Sequence, residues 1–224
     1  MRRRVLVTGS SRGIGLAICQ LLHRKGYEVI GVSRKSSRYT SVIADLRRRE
    51  EIERVAGEVG EVDILINNAG VGYFGNLENL SLDQIGEMVA VNFLAPLLLT
   101  RLLLPGLIRR KGHIINIGSV SGLEKARLGS VYGATKAGLH HFSRSLFEEV
   151  RRRGVKVTTI IPDMTLTSFY QSAFFAPARE EGRHLNSWDI AQVVLDVLEA
   201  PSHLVCTQLV IQPQMLGIEK KRPK

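Results

Sequence analysis

Arg4-Val5-Leu6-Val7-Thr8-Gly9-Ser10-Ser11-Arg12-Gly13-Ile14-Gly15 is the stretch on which the fold turns. Arg4 to Val7 reads as a short apolar strand, and a glycine-rich loop, Thr8 to Gly15, follows at once. Ile14, Ile18, Leu21 and Leu22 then recur at helical spacing until Gly26 stops them, and Tyr27 to Val32 is a second apolar strand. Strand, glycine loop, helix, strand is the βαβ unit of a dinucleotide fold. The glycines let the backbone turn tightly and approach a pyrophosphate, while the helix N-terminus offers unpaired N–H groups and the positive end of its dipole. A glycine pattern alone carries little weight; here the strand before it and the helix after it both match.

The end of the second strand speaks to the cofactor. An NAD site places an acid about 20 residues past the glycines, where it accepts hydrogen bonds from the ribose hydroxyls. This chain has Ser33-Arg34-Lys35-Ser36 there, with no acid. Arg34, Arg12 and Lys35 suit a 2′-phosphate, for which a planar guanidinium is well shaped. The reading is NADP(H); the alternative is that Arg34 is a solvated loop residue.

Further along, Ser41–Leu46 reads as a third strand containing Asp45, and Glu50–Val59 as an amphipathic helix. Val62–Ile66 is a fourth strand delivering Asn67-Asn68-Ala69-Gly70, small residues that fit a crevice at a sheet's carboxyl end. Ser81-Leu82-Asp83-Gln84 is a capping box opening a helix that carries Asn92. His113–Ile117, Val155–Ile161 and Leu204–Ile211 are further strands, and Trp188–Leu198 is a last helix. Pro162 to Asn186 lacks a strand pattern but holds Phe169, Tyr170, Phe174 and Phe175; residues 162–187 form a candidate substrate lid. The tail, Glu219–Lys224, reads as frayed.

Tyr132 and Lys136 head a helical pattern reaching Arg153 and share one helix face. A tyrosine's pKa is roughly 10, and a nearby cation favours its phenolate, so such a pair can pass a proton near neutral pH. Ser119 sits upstream, at the end of the strand ending Ile117-Gly118.

Composition narrows the class. The 224 residues suit one domain, 1–224, and 44% hydrophobic with 23% charged residues are ordinary globular values. Cys19 and Cys206 have no metal or redox spacing, the adjacent His140 and His141 point apart on a helix, and no metal site is expected. Two cysteines alone suggest a reducing compartment. The apolar run Val91–Ile108 is broken by Asn92, Pro96, Arg101 and Pro105, unlike a membrane span of about 20 residues. It reads as a buried or subunit-interface helix of a soluble, cytoplasmic protein. The net charge of +10 includes three arginine triplets without interleaved aromatic residues, so no nucleic-acid partner is expected. Solvated helix ends, a phosphate-bearing ligand or a heat-adapted surface are simpler accounts.

With these pieces in order, the chain resembles the short-chain dehydrogenase/reductase family from Arg4 to about Met215. The Thr8–Gly15 loop, Asn67–Gly70, the Ser119/Tyr132/Lys136 set and Pro162…Thr167 match in order. The resemblance implies an α/β, doubly wound Rossmann-type fold, with a mostly parallel seven-stranded sheet and helices on both faces. It implies that Tyr132 is the general acid/base, that Ser119 polarises the substrate carbonyl, and that Lys136 holds the nicotinamide ribose and lowers the pKa of Tyr132. Asn92 would kink its helix and hold a relay water. Gly9, Ser11, Arg12, Gly13, Ile14 and Gly15 would line the pyrophosphate and adenosine, with Ser33 and Arg34 at the 2′-phosphate. Asp45 and Leu46 would meet the adenine; Asn68, Ala69 and Gly70 the adenine ribose side; Pro162, Thr165 and Thr167 the nicotinamide end. The implied reaction moves a hydride between NADP(H) and a small carbonyl or secondary alcohol substrate.

Two departures stand out: Gly118 replaces a common serine, and Asp163 follows Pro162 where a glycine is usual. Asp163 is either a turn carboxylate or a substrate contact. The C-terminal segments Trp188–Val194 and Gln208–Pro213 look like a branch of broad small reductases and 3-hydroxy acid dehydrogenases. The family's habit implies a homodimer or homotetramer, and the face Leu97, Leu98, Leu102 and Leu103 suits either a second subunit or the chain's own core. The competing class is a cofactor-binding sensor or scaffold without useful turnover.

Overall fold

Side chains alternate across a strand, so a strand covered on both faces reads as an unbroken apolar run. Val5-Leu6-Val7, Ile64-Leu65-Ile66 and Ile114-Ile115 are such runs, and all are fully buried. A computed structural model describes residues 2–171 and 173–221 and sets these runs in the middle of a seven-stranded sheet. Its first six strands are β1 (Arg4–Thr8), β2 (Glu28–Ser33), β3 (Thr40–Ile43), β4 (Ile64–Asn67), β5 (His113–Ile117) and β6 (Lys156–Pro162). Three short strands follow outside the sheet: β7 (Thr165–Leu166), β8 (Phe175–Pro177) and β9 (Leu185–Asn186). Then come β10 (Gln208–Ile211), which closes the sheet, and β11 (Ile218–Lys220). The order is β10-β6-β5-β4-β1-β2-β3, with every pair parallel.

The helices are α1 (Gly13–Arg24), α2 (Arg49–Val59), α3 (Leu82–Val89), α4 (Ala95–Arg109), α5 (Ser130–Val150) and α6 (Ser187–Glu199). Val5, Val7, Ile64, Ile66 and Ile115 face α1 and α6, meeting Ile18, Leu22, Ile190 and Val194. Leu6, Leu65 and Ile114 face the other way, onto Ile52 and Val55 of α2, Leu99, Leu103 and Leu107 of α4, and Leu146 of α5. This is the doubly wound α/β arrangement. Strand order reverses between β1 and β4, and the crevice beyond their carboxyl ends is where such sheets bind ligands.

A buried polar chain ties α5 to the sheet. Asn67 Nδ2 donates to Asn116 Oδ1 at 2.8 Å, Asn116 Nδ2 donates to Ser143 Oγ at 2.8 Å, and Ser143 Oγ donates to Leu139 O at 2.7 Å. Burial at such depth requires each partner.

Several boundaries differ from the sequence reading. The third strand ends at Ile43, before Asp45, and the last sheet strand starts at Gln208 rather than Leu204. Segment 162–186 carries β7, β8, β9 and a 3₁₀ turn over Ser168–Tyr170, all too short to leave a periodic pattern. The helix after Ser81, whose capping box is present, is broken by a π turn over Ala90–Leu94. Pro96 brings no N–H, so the Asn92 carbonyl four residues back has no α-helical donor. The Leu82–Arg109 run is long and apolar enough to cross a membrane by length and composition. In this fold its residues Leu99, Leu103 and Leu107 are sheet core, with Leu98 packed beside them, whereas Leu102 is exposed.

The tail is a correction. Glu219 and Lys220 lie in β11, which pairs antiparallel with β8, while residues 222–224 fall outside the described residues. Lys221 N–H donates to Phe174 O, and its ammonium donates to the Tyr170 and Gln171 carbonyls. The tail is held by backbone pairing to a distant segment, which no local pattern in the sequence encodes.

Candidate active site

The glycine loop works by shape. Gly9 has φ +72°, a left-handed angle that side chains resist, and a Cβ on Gly15 would lie 2.2 Å from the Gly9 carbonyl oxygen. Thr8 fastens this loop to the next one: its hydroxyl accepts the Asn68 and Ala69 N–H groups, both at 3.0 Å, and Asn68 Nδ2 donates to Thr8 O at 2.8 Å. Helix α1 starts with Arg12 as N-cap, no side-chain cap bond and no acid in its first turn. Its first N–H groups therefore face the crevice unpaired and suit a pyrophosphate.

One cleft of about 510 Å³ gathers the predicted residues. Gly9, Ser11, Arg12, Gly13, Ile14 and Gly15 line it, together with Ser33, Arg34, Asp45, Leu46, Asn68, Ala69 and Gly70. Ser119, Tyr132, Lys136, Pro162, Thr165 and Thr167 complete the wall. Asn92 is the exception. It is buried behind the cleft, where Oδ1 accepts Val71 N–H and Nδ2 donates to Val71 O, both at 2.8 Å.

At the end of the cleft beside β2, Arg34 and Arg47 share Glu87 of α3, at 3.2 and 3.7 Å, and the Tyr73 hydroxyl donates to the same carboxylate at 2.6 Å. Arg47 also clasps Asp45, holding that carboxyl below its usual range. Arg34 is half exposed and lines the cleft; Arg47, Tyr73 and Glu87 were not singled out from the sequence, because their meeting joins loops far apart in the chain.

At the end of the cleft that holds Tyr132, α5 is docked onto the end of β5. The Lys136 ammonium is buried and donates to Ile117 O at 2.8 Å; it stands 5.9 Å from the Tyr132 ring centroid. Burial pushes Lys136 down to about 8. Burial likewise pushes Tyr132 up to about 12, with the Ser119 hydroxyl pulling the other way. Within the chain alone, desolvation rather than the lysine charge governs Tyr132, which stands protonated at neutral pH.

Ser119 rests on a residue the sequence reading set aside. Its N–H donates to His140 Nε2 at 3.3 Å, so His140 serves as a neutral acceptor with its proton on Nδ1. Burial first, then the Lys136 and Arg144 charges, push His140 down to about 4. The ring also accounts for Gly118: a Cβ there would lie 2.2 Å from Nε2. Asp163 accepts Met164 N–H at 2.8 Å and Gln212 Nε2–H at 3.1 Å while lining the cleft. Its φ is not among the positive values, so replacing the usual glycine strains nothing.

A layer of rings covers Tyr132. Phe74 and Phe169 lie 5.4 and 5.7 Å from its ring, and Phe74 meets Phe175 at 5.1 Å. Gly75 N–H donates to the carbonyl of Leu128, whose φ is +64°, which fixes the Phe74 loop. Phe74 escaped the sequence reading because a lone phenylalanine in a loop carries no periodic signal.

A glycine loop at the switch point of a doubly wound sheet defines a dinucleotide-fold protein. The family model described as short chain dehydrogenase matches residues 3–176. An uncharacterized oxidoreductase of Staphylococcus epidermidis is 34% identical over 224 residues, covering 93% of this chain and 96% of its own. The closed form of a serine dehydrogenase complexed with NADP+ superposes with a TM-score of 0.82 at 29% identity, over 94% of both chains. An alcohol dehydrogenase of the archaeon Thermococcus sibiricus, complexed with 5-hydroxy-NADP, gives 0.86 at 26% identity over 100% of both. The chain belongs to the short-chain dehydrogenase/reductase family of oxidoreductases.

Proposed function

We propose that this protein is an NADP-dependent oxidoreductase that interconverts a small carbonyl compound and its secondary alcohol, with Tyr132 as general acid/base. The observation that carries this reading is the single cleft that joins an uncapped helix N-terminus to a buried Tyr132 with Ser119 and Lys136 beside it. Arg12, Arg34 and Lys35 line the adenosine end with no acid at the end of β2, which suits a 2′-phosphate. The serine and alcohol dehydrogenases it resembles are complexed with NADP+ and 5-hydroxy-NADP.

NADPH bound in the cleft supplies the hydride. Ser119 orients the substrate oxygen, and the protonated Tyr132 hydroxyl gives that oxygen its proton; in the reverse direction the phenolate takes it back. Lys136, held by Ile117 O, keeps a cation near the phenol, and Asn92 holds the Val71 backbone against α5 through Thr135. The intact Ser119/Tyr132/Lys136 set weighs against the sensor reading. Tyr132→Phe should lower kcat by roughly 10²–10⁴-fold while NADPH titration is unchanged; full activity in that variant would remove the assignment. Arg34→Ala should weaken NADPH far more than NADH, and equal weakening of both would return Arg34 to the solvated surface.

We further infer a cytoplasmic dimer or tetramer of one-domain subunits, with 162–187 as the substrate lid. Val89, Leu94 and Leu102, on α3, the π turn and α4, are exposed apolar side chains, and both cysteines are free. A monomeric mass by light scattering would discard the oligomer.

A further inference from the structure

The roof over Tyr132 bears on the substrate, given the proposed function. Phe169 and Tyr170 line the cleft beside Tyr132, and Phe74 and Phe175 back them. These rings are half-buried, each leaving a face toward solvent or cleft. Their packing is built for: a Cβ on Gly72 would fall 2.6 Å from Phe169 Cζ.

The charges are arranged against an acid. Of the basic residues lining the cleft, Arg12, Arg34 and Lys35 lie on the loops after β1 and β2, at the adenosine end. Lys136 is engaged by Ile117 O. Among the described residues that line the cleft, the charged side chain at the lid end is Asp163, oriented by Met164 N–H and Gln212. It lies close enough to Tyr170 to help raise that phenol's pKa, behind burial and Tyr132. A substrate carboxylate would lose its water here against aromatic carbon, with a like charge nearby and no cation among the described lining residues to receive it, Lys221 being held by the Tyr170 and Gln171 carbonyls outside that lining.

We propose that the substrate is an uncharged carbonyl compound bearing a flat apolar group beside the reacting carbon, and that hydroxy and keto acids are excluded. The ring of such a compound packs edge or face against Phe169 and Tyr170, while its carbonyl oxygen reaches Ser119 and Tyr132. This departs from the 3-hydroxy acid branch suggested by the C-terminal sequence.

The test is NADPH consumption with matched carbonyls: ethyl benzoylformate, its free acid benzoylformate, and ethyl pyruvate. The neutral aryl ester should exceed the free acid in kcat/KM by on the order of a hundredfold, as a site with no partner for a charge discriminates strongly. It should also exceed ethyl pyruvate, and Phe169→Ala or Phe74→Ala should narrow that second ratio, with NADPH affinity as the check on folding. Asp163→Asn should raise benzoylformate turnover severalfold relative to the ester. Benzoylformate matching or surpassing its ester overturns the inference and leaves the proposed function standing. No turnover of any carbonyl by a protein that binds NADPH sinks the proposed function and this inference with it.

Discussion

At the scale of single residues, Gly118 and His140 explain each other. The imidazole fills the space that a side chain at 118 would need, and its Nε2 accepts the N–H of Ser119. Gly118→Ser should therefore cost about 1–3 kcal/mol in urea unfolding, as overpacking of a dense interior does. It should also lower turnover by displacing Ser119. Adding His140→Ala to that variant should restore part of the stability. A stable, fully active Gly118→Ser alone would show that the ring moves aside freely. Neither residue had a visible role in the sequence: Gly118 was a departure from a family pattern and His140 half of a histidine pair.

Among the elements, the C-terminal strand is a strap across segment 162–187, the proposed lid. Besides the β11–β8 pairing, Ala178 N–H donates to Gly217 O and Met215 N–H to Gly182 O. Through β8 these bonds reach Phe175 and thence Phe74 above Tyr132. Removing residues 217–224 should leave the central sheet intact, since the bonds lost are few and each contributes about 1 kcal/mol. Limited proteolysis should then cut between residues 168 and 180, and KM for the carbonyl substrate should rise severalfold. Unchanged protease resistance would show that this segment holds itself. The inner strands of the central sheet were readable because they are covered on both faces; β7 to β9 and β11 were not, because two or three residues carry no period.

For the whole molecule, pH is the informative variable. His113, bonded through Nε2 to Thr158 Oγ1 at 2.8 Å, is pushed down to about 3 by burial and by the Lys156 and Arg3 charges, and His140 to about 4. Both folded values lie below the ordinary 6.5. The unfolded chain thus gains protons below pH 6.5 that the native chain refuses. Stability is full above that pH and falls as pH drops toward 4, by up to about 1.4 kcal/mol per pH unit for each histidine. Urea unfolding between pH 7 and 5, above most carboxylate titration, checks this, and His113→Gln should remove about half the slope. A flat profile would mean that neither ring is held neutral. Part of the basic surface is neutralised locally, where Arg4, Arg47, Arg49 and Arg151 pair with Glu28, Asp45, Glu53 and Glu148. Such exposed pairs contribute roughly 0–1 kcal/mol each.

By itself the sequence determined the glycine loop, the buried strands and the shared face of Tyr132 and Lys136, which are written in local signals: glycine spacing, apolar runs and one helix face. The doubly wound sheet and most residues lining the cleft followed from the resemblance to the short-chain dehydrogenase/reductase family. Only the tertiary structure decided what backs and covers the site: His140 under Ser119, Glu87 between Arg34 and Arg47, Phe74 over Tyr132 and β11 across β8. These contacts join residues from separate elements, and their energies arise from packing and desolvation at the meeting point. No period or spacing along the chain records them.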